Sequence, residues 1–155
     1  MRVVSATRRH IAAMTALMTA SPLLRHYQLT RDGARAGLAE ALRAKDIVVV
    51  AVGQGSVAGF AWVIPTRALD RAAYLRLLLV AEGRQSRGVG AALLATAERR
   101  ARAARCRHLV LLVTTVNRRA RAFYARCGYR HVGGLPGFVR PGIGESLYEK
   151  RLSRG

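Results

Sequence analysis

Gln85-Ser86-Arg87-Gly88-Val89-Gly90 is the segment whose residue types and spacing point most directly to chemistry, because it follows an apolar run and opens a helix-like pattern. Glycine at two positions lets backbone N–H groups approach a ligand closely, and the N-terminus of a following helix favours negative charge. Gln85, Ser86, Arg87, Gly88, Val89 and Gly90 therefore suit a cradle for a phosphate or pyrophosphate, although a plain tight turn would use the same glycines. The dinucleotide fingerprint needs three spaced glycines and the P-loop needs Gly-Lys-Ser/Thr, so neither is present. Groups able to take a proton are scattered: Asp70, Glu82, Glu145, His26 and His131, none of them ranked by spacing. Cys106 and Cys127 make no disulfide framework, and no spacing of His, Cys, Asp and Glu matches a metal site.

The elements that must position the cradle follow from periodicity. Val3-Val4 ends a first strand, and about 8–20 fits an amphipathic helix on Ile11, Met14, Leu17 and Met18. That stretch, with Arg8-Arg9-His10 in front, imitates a cleaved leader, but its apolar run is short and carries Thr15 and Thr19. A second helix fits 32–44 on Ala34, Leu38, Ala41 and Leu42. Two strands, Ile47–Val52 and Val57–Ile64, flank Gly53-Gln54-Gly55-Ser56 as a hairpin. Tyr74–Val80 and His108–Val113 are nearly continuous apolar runs, as expected of strands covered on both faces. With the helix 88–105 between them they form a βαβ unit, so those two strands are parallel and the crossover is right-handed. A helix at 118–127 has Asn117 as its N-cap and Gly128 behind it. Tyr129–Val132 and Ser146–Leu152 close the chain as strands, with a Gly/Pro-rich loop between them.

The order strand, Gln-x-x-Gly-x-Gly, helix, strand, then Asn117-Arg118-Arg119-Ala120-Arg121-Ala122-Phe123-Tyr124-Ala125-Arg126-Cys127-Gly128-Tyr129 resembles the GNAT superfamily of acetyl-CoA-dependent N-acyltransferases. The resemblance is strongest over 73–132. It implies an α/β fold: a mixed, mostly antiparallel sheet of about seven strands with about four helices and a central parallel βαβ splay, as one domain over 1–155. It implies that acetyl-CoA lies between the fourth and fifth strands, with its pantetheine arm on the backbone of Leu78, Leu79 and Val80 and its pyrophosphate on Gln85 to Gly90. An amide at Leu79 or Val80 would polarise the thioester carbonyl. Asn117 would reach the cofactor arm, and Tyr124 would protonate the departing thiolate. A phenol suits that task, since it stays protonated at neutral pH. The acid that many members carry on the fourth strand is missing here, so the general base is unassigned. Transfer in the family is direct, which makes Cys127 a packing residue behind Tyr124 rather than a nucleophile. The tail from Gly133 to Glu145 resembles the region bordering the acceptor pocket in several small-molecule members.

Composition bounds the rest. The 155 residues carry 27 Lys+Arg against 8 Asp+Glu, a net charge of +19, and 25 of those bases are Arg. Such a chain attracts anions, but the Arg residues are spread along it beside 27 Ala and a single Asn, as expected of a compositional bias with solvated side chains. A nucleic-acid-binding module is the rival from another class, disfavoured by the lack of helix-turn-helix, zinc or aromatic-platform signatures. No stretch approaches the ~18 apolar residues of a membrane span. The expectation is a cytoplasmic N-acetyltransferase, free of metal, moving acetyl from acetyl-CoA to a primary amine of a small molecule in a ternary complex. Protein N-terminal or lysine acetylation and a non-catalytic CoA-binding fold are the alternatives. Val57 and Trp62, as exposed apolar edge positions, would leave room for a homodimer.

Overall fold

A computed structural model of the chain describes residues 1–152; the last three residues of the expected 1–155 domain lie outside the described ones. The strands are β1 (Arg2–Ser5), β2 (Ile47–Gly53), β3 (Ser56–Pro65), β4 (Ala73–Val80), β5 (His108–Thr114), β6 (Arg130–Arg140) and β7 (Ile143–Arg151). The helices are α1 (Ile11–Ala20), α2 (Pro22–His26), α3 (Arg31–Arg43), α4 (Val89–Ala103) and α5 (Arg118–Arg126). The strands join in the order β1-β2-β3-β4-β5-β7-β6, and every pair is antiparallel except β4–β5.

Apolar residues on both faces of β2 and β3 let the sheet carry two cores. Val49, Ala51, Ala61 and Val63 pack under Leu93, Leu94, Ala97 and Ala101 of α4. On the other face Val48, Val50, Phe60 and Trp62 meet Met14 and Met18 of α1 and Leu38 of α3. Met14 and Met18 are buried, so the leader-like segment is part of this core. Burying side chains of this size contributes about 1.5–3 kcal/mol each.

One irregularity in the sheet creates the site. Trp62 pairs with Leu77 and Val63 with Leu75, so Arg76 is an extra residue, a β-bulge in β4. Residues two apart normally share a face, yet Leu75 belongs to the α4 core and Leu77 to the opposite one. Immediately beyond, β4 and β5 part: their last pair is Leu75 with Leu111. From Arg76 to Val80 one edge of β4 faces a gap in mid-sheet. Gly59 of β3 is needed beside this gap, since a Cβ there would stand 2.6 Å from the Leu79 carbonyl oxygen.

Three expectations are corrected. The segment 133–145 is mostly strand rather than loop, with β6 and β7 turning at Pro141-Gly142, where Gly142 has φ +81°. Because β6 is the sheet edge, Pro136 costs no ladder bond, and register shifts at His131/Gly133 and Pro136/Arg140 absorb the surplus residues. A fifth helix, α2, was not expected; Ser21 caps it and Pro22 opens it. Trp62 and Val57 are not exposed edge positions. β3 lies inside the sheet, Trp62 is buried with Nε1–H donating to Asp46 at 2.9 Å, and Val57 packs against the α1–α3 core. These two residues give no ground for a dimer.

Candidate active site

The cradle takes shape where β4 runs into α4. Gly88 stands at the N-cap of α4 with φ +77°, a left-handed conformation that glycine adopts without penalty. The first helical hydrogen bond runs from Ala92 N–H to Gly88 O at 3.0 Å. The N–H groups of Val89, Gly90 and Ala91 come before it and have no intrahelical acceptor. No acidic residue occupies that first turn. The helix end is thus an electropositive pole with no acidic side chain of its own, suited to a phosphate.

A cleft of about 590 Å³ opens on this pole, lined by Leu78, Val80, Gln85, Ser86, Gly88 and Gly90 from one side and Asn117, Arg119, Phe123 and Tyr124 from the other. Arg119 bridges its two walls by donating from Nη2 to Ser86 Oγ at 3.0 Å. Gln85 donates from Nε2 to the Val80 carbonyl at 3.3 Å and holds the loop against the strand. The side chain of Val89 lies in the core, and Arg87 is exposed outside the cleft lining.

Backbone polarity along β4 follows from alternation. Ala81 N–H bonds Ala58 O of the β3 side at 2.8 Å, so Leu79, two residues earlier, also faces β3. Leu78 and Val80 direct their N–H groups into the gap.

On the opposite face of the sheet lies a second cavity, about 170 Å³, lined among others by Leu24, Tyr27, Tyr74, Leu79, Thr114, Val139 and Glu145. Leu78, Asn117, Ala120 and Tyr124 line both spaces. The two spaces therefore adjoin where the strands part, with these four residues forming the waist between them.

Asn117 caps α5, its Oδ1 accepting from Ala120 N–H at 3.1 Å, which leaves its NH₂ group available at the waist. Tyr124 packs edge-on against Phe123 and Tyr129, with ring centroids 5.1 and 5.7 Å away. Tyr129 is itself pinned, donating from its hydroxyl to Glu98 at 2.9 Å, and Lys150 donates to the same carboxylate at 2.9 and 3.0 Å. Among the described residues no hydrogen-bond partner meets the Tyr124 hydroxyl, the one polar atom of a ring otherwise enclosed. Burial, and then the nearby Cys127 thiol, push Tyr124 far above the ordinary phenol range. Burial also raises the Cys127 thiol, which opposes thiolate chemistry there.

The scattered acids are now separated. Glu82 and Asp70 line neither space, and His26 and His131 likewise lie outside both linings. Glu145 alone of the five enters the second cavity. The cleft-facing stripe Arg119, Phe123 and Arg126 was legible in its helical spacing but was not singled out from sequence. Tyr27, Tyr74 and Thr114 carried no sequence signal of their own.

The sequence model of the acetyltransferase (GNAT) family matches residues 13–129. The chain belongs to this family of acetyltransferases. None of the curated proteins matches it. Among solved structures it resembles an aminoglycoside 6'-N-acetyltransferase complexed with coenzyme A, at TM-score 0.85 and 17% identity, over 100% of this chain and 99% of that one. A ribosomal-protein-alanine N-acetyltransferase from Brucella melitensis matches at TM-score 0.83 and 20% identity, over 98% and 100%. An N-acetyltransferase from Staphylococcus aureus Mu50 matches at TM-score 0.82 and 20% identity, over 98% of each chain. At these identities the likeness is one of fold.

Proposed function

We propose that this protein transfers acetyl from acetyl-CoA to the primary amine of a small molecule by direct attack. The observation that carries this is the juxtaposition of two spaces: a cleft ending on a helix N-terminus on one face, a small cavity on the other, and Tyr124 where they adjoin. A donor with a pyrophosphate and a long arm fits the first space, and coenzyme A sits in the aminoglycoside acetyltransferase of the same fold. The Gln85–Gly90 loop and the first turn of α4 hold the pyrophosphate, while Leu78 and Val80 offer the free backbone edge to the arm. With Leu79 turned towards β3, the amide at Val80 or Leu78 is the better donor to the thioester carbonyl.

In the reaction the amine nitrogen bonds to the carbonyl carbon and the carbon–sulfur bond breaks. Tyr124 gives its proton to the departing thiolate. Burial makes a lasting phenolate expensive, so Tyr124 must regain a proton from the nitrogen in the same event. Asn117 orients the arm at the waist through its free NH₂ group.

The second cavity favours a small acceptor over a protein chain. At about 170 Å³ it falls below the ~300–1,000 Å³ of drug-sized pockets. Its roof, α2, is fastened by Arg140 Nη1 donating to His26 O at 2.8 Å. Both cysteines are free, as suits a reducing cytoplasm. Assaying CoA release from acetyl-CoA with purified protein, across small amines and peptides, tests the proposal. Turnover of small amines supports it; release only with peptides shifts the acceptor to protein, and no release with either leaves a CoA-binding fold without catalysis.

A further inference from the structure

Glu145 is 3% exposed, and only one group donates a hydrogen bond to it among the described residues, the Tyr27 hydroxyl. Tyr27 is held in turn by Thr114, Oη to Oγ1 at 3.0 Å. A buried carboxylate is costly unless a cation or several donors compensate it. The other paired acids of this chain meet that requirement. Glu98 has Lys150 at 2.9 Å, Glu149 has Arg130 at 3.2 Å, and Glu40 has Arg43. Scarcity of cations does not explain the exception, with 27 Lys+Arg against 8 acids. Arg76 lines the same cavity, yet its guanidinium stands 5.8 Å from the Trp62 ring centroid and makes no salt bridge to Glu145 among the described residues. Among the described residues the fold itself seats no positive charge on this carboxyl group.

The rest of the cavity describes what carries that charge. Leu23, Leu24, Leu77, Leu79, Leu112 and Val139 make most of its lining apolar, and its volume suits a small molecule. We infer that Glu145, oriented by Tyr27 and Thr114, is the seat for the ammonium of an acceptor whose amine is borne on a short apolar stem and which gives one proton to solvent before its nitrogen attacks. This rests on the acetyl-transfer reading above and names the acceptor class for it. Tyr27 remains a hydrogen-bond donor in this seat, since burial and then the Glu145 carboxylate hold its phenol above the ordinary range.

The test uses the full-length protein saturated with CoA, so that binding is read without turnover. Phenethylammonium, butylammonium and the neutral 2-phenylethanol are titrated calorimetrically. The phenethylammonium ion should bind at least about tenfold more tightly than the alcohol, the lower range for hydrogen bonds to charged groups. Glu145→Gln should bring the two within about twofold of each other, with an unchanged thermal shift by acetyl-CoA. Tyr27→Phe should weaken the cation less. Equal binding of cation and alcohol by the wild type, or no saturable binding of either ammonium, overturns the seat. So does a Glu145→Gln variant that keeps the preference. Should that variant fail to fold, the wild-type ratio still decides whether the cavity is a cation seat. Failure of acetyl-CoA to bind sinks the acetyl-transfer reading and the seat with it, whereas normal acetyl-CoA binding without cation preference sinks the seat alone.

Discussion

A phenol as enclosed as Tyr124 resists ionisation, and this sets what its loss should look like. Tyr124→Phe keeps the ring against Phe123 and Tyr129 and removes only the proton, so kcat should fall on the order of 10²-fold. Acetyl-CoA affinity should change little, because the proton is needed chiefly in the transition state. An aryl thioester, whose thiol leaves without help, should restore part of the rate; single-turnover kinetics with both donors check this. A raised pKa means that the acid form persists above its usual limit of ~10, so the wild-type rate should show no alkaline limb from Tyr124 below that pH. Glu149 shifts the other way: the hydrogen bond with His108 at 2.7 Å, then Arg130, hold its carboxyl below the ordinary value. A depressed carboxyl stabilises the fold above its unfolded pKa and loses that effect as pH falls through the folded one. Glu149→Gln should therefore cost up to about 1 kcal/mol near neutrality and nothing in strong acid, read by denaturation at several pH values.

Among the elements, the junction of β4 and α4 is where the proposed cofactor seat can be tested. A Cβ at Gly88 would meet nothing within 4 Å, so a larger residue fits there sterically, at about 1–2 kcal/mol for its φ of +77°. At Gly90 a Cβ would touch the Phe123 ring at 3.4 Å. Gly88→Glu or Gly90→Glu should leave a folded protein in which a carboxylate opposes the pyrophosphate at the helix pole. Acetyl-CoA binding should be lost in both, by calorimetry, and retention at wild-type strength would place the donor elsewhere. The bulge at Arg76 acts at the same scale from the other side. Were Arg76 paired regularly instead of bulged, Leu77 would share the face of Leu75; the bulge turns Leu77 to the opposite core just where the β4–β5 pairing ends.

For the whole molecule the question is what +19 of net charge does. In the proposed function the N-terminus of α4 and Arg119 at the cleft would account for part of its use, drawing a polyanionic donor. Acetyl-CoA at 100 times its Kd should add about 2.7 kcal/mol of stability, which for a chain of this size raises Tm by roughly 5–10 °C. NADH or ADP-ribose should shift it far less. If the surface instead served nucleic acid, binding would collapse as salt rises and would need no acetyl-CoA. A salt titration with duplex and single-stranded oligonucleotides separates the two, and salt-sensitive specific binding would reopen the rival assignment.

Local signals made much of this legible beforehand. The apolar runs of β4 and β5, the glycines at 88 and 90, the Asn117 cap and the phenol at 124 each depend on neighbours within a few residues, and so do the elements they mark. The missing acid on β4 was equally plain, but the buried carboxyl group beside the second cavity was not. Glu145 meets Tyr27 across 118 residues, through a five-residue helix seated on a parted sheet, and no spacing along the chain encodes that distance. The tail shows the same limit: glycines and Pro136 look like loop until the segment lies at a sheet edge, where a missing N–H costs nothing. Tertiary structure decided which carboxylate is buried without a cation and which face of the gap it serves, because burial and pairing belong to the packed chain and not to any segment of it.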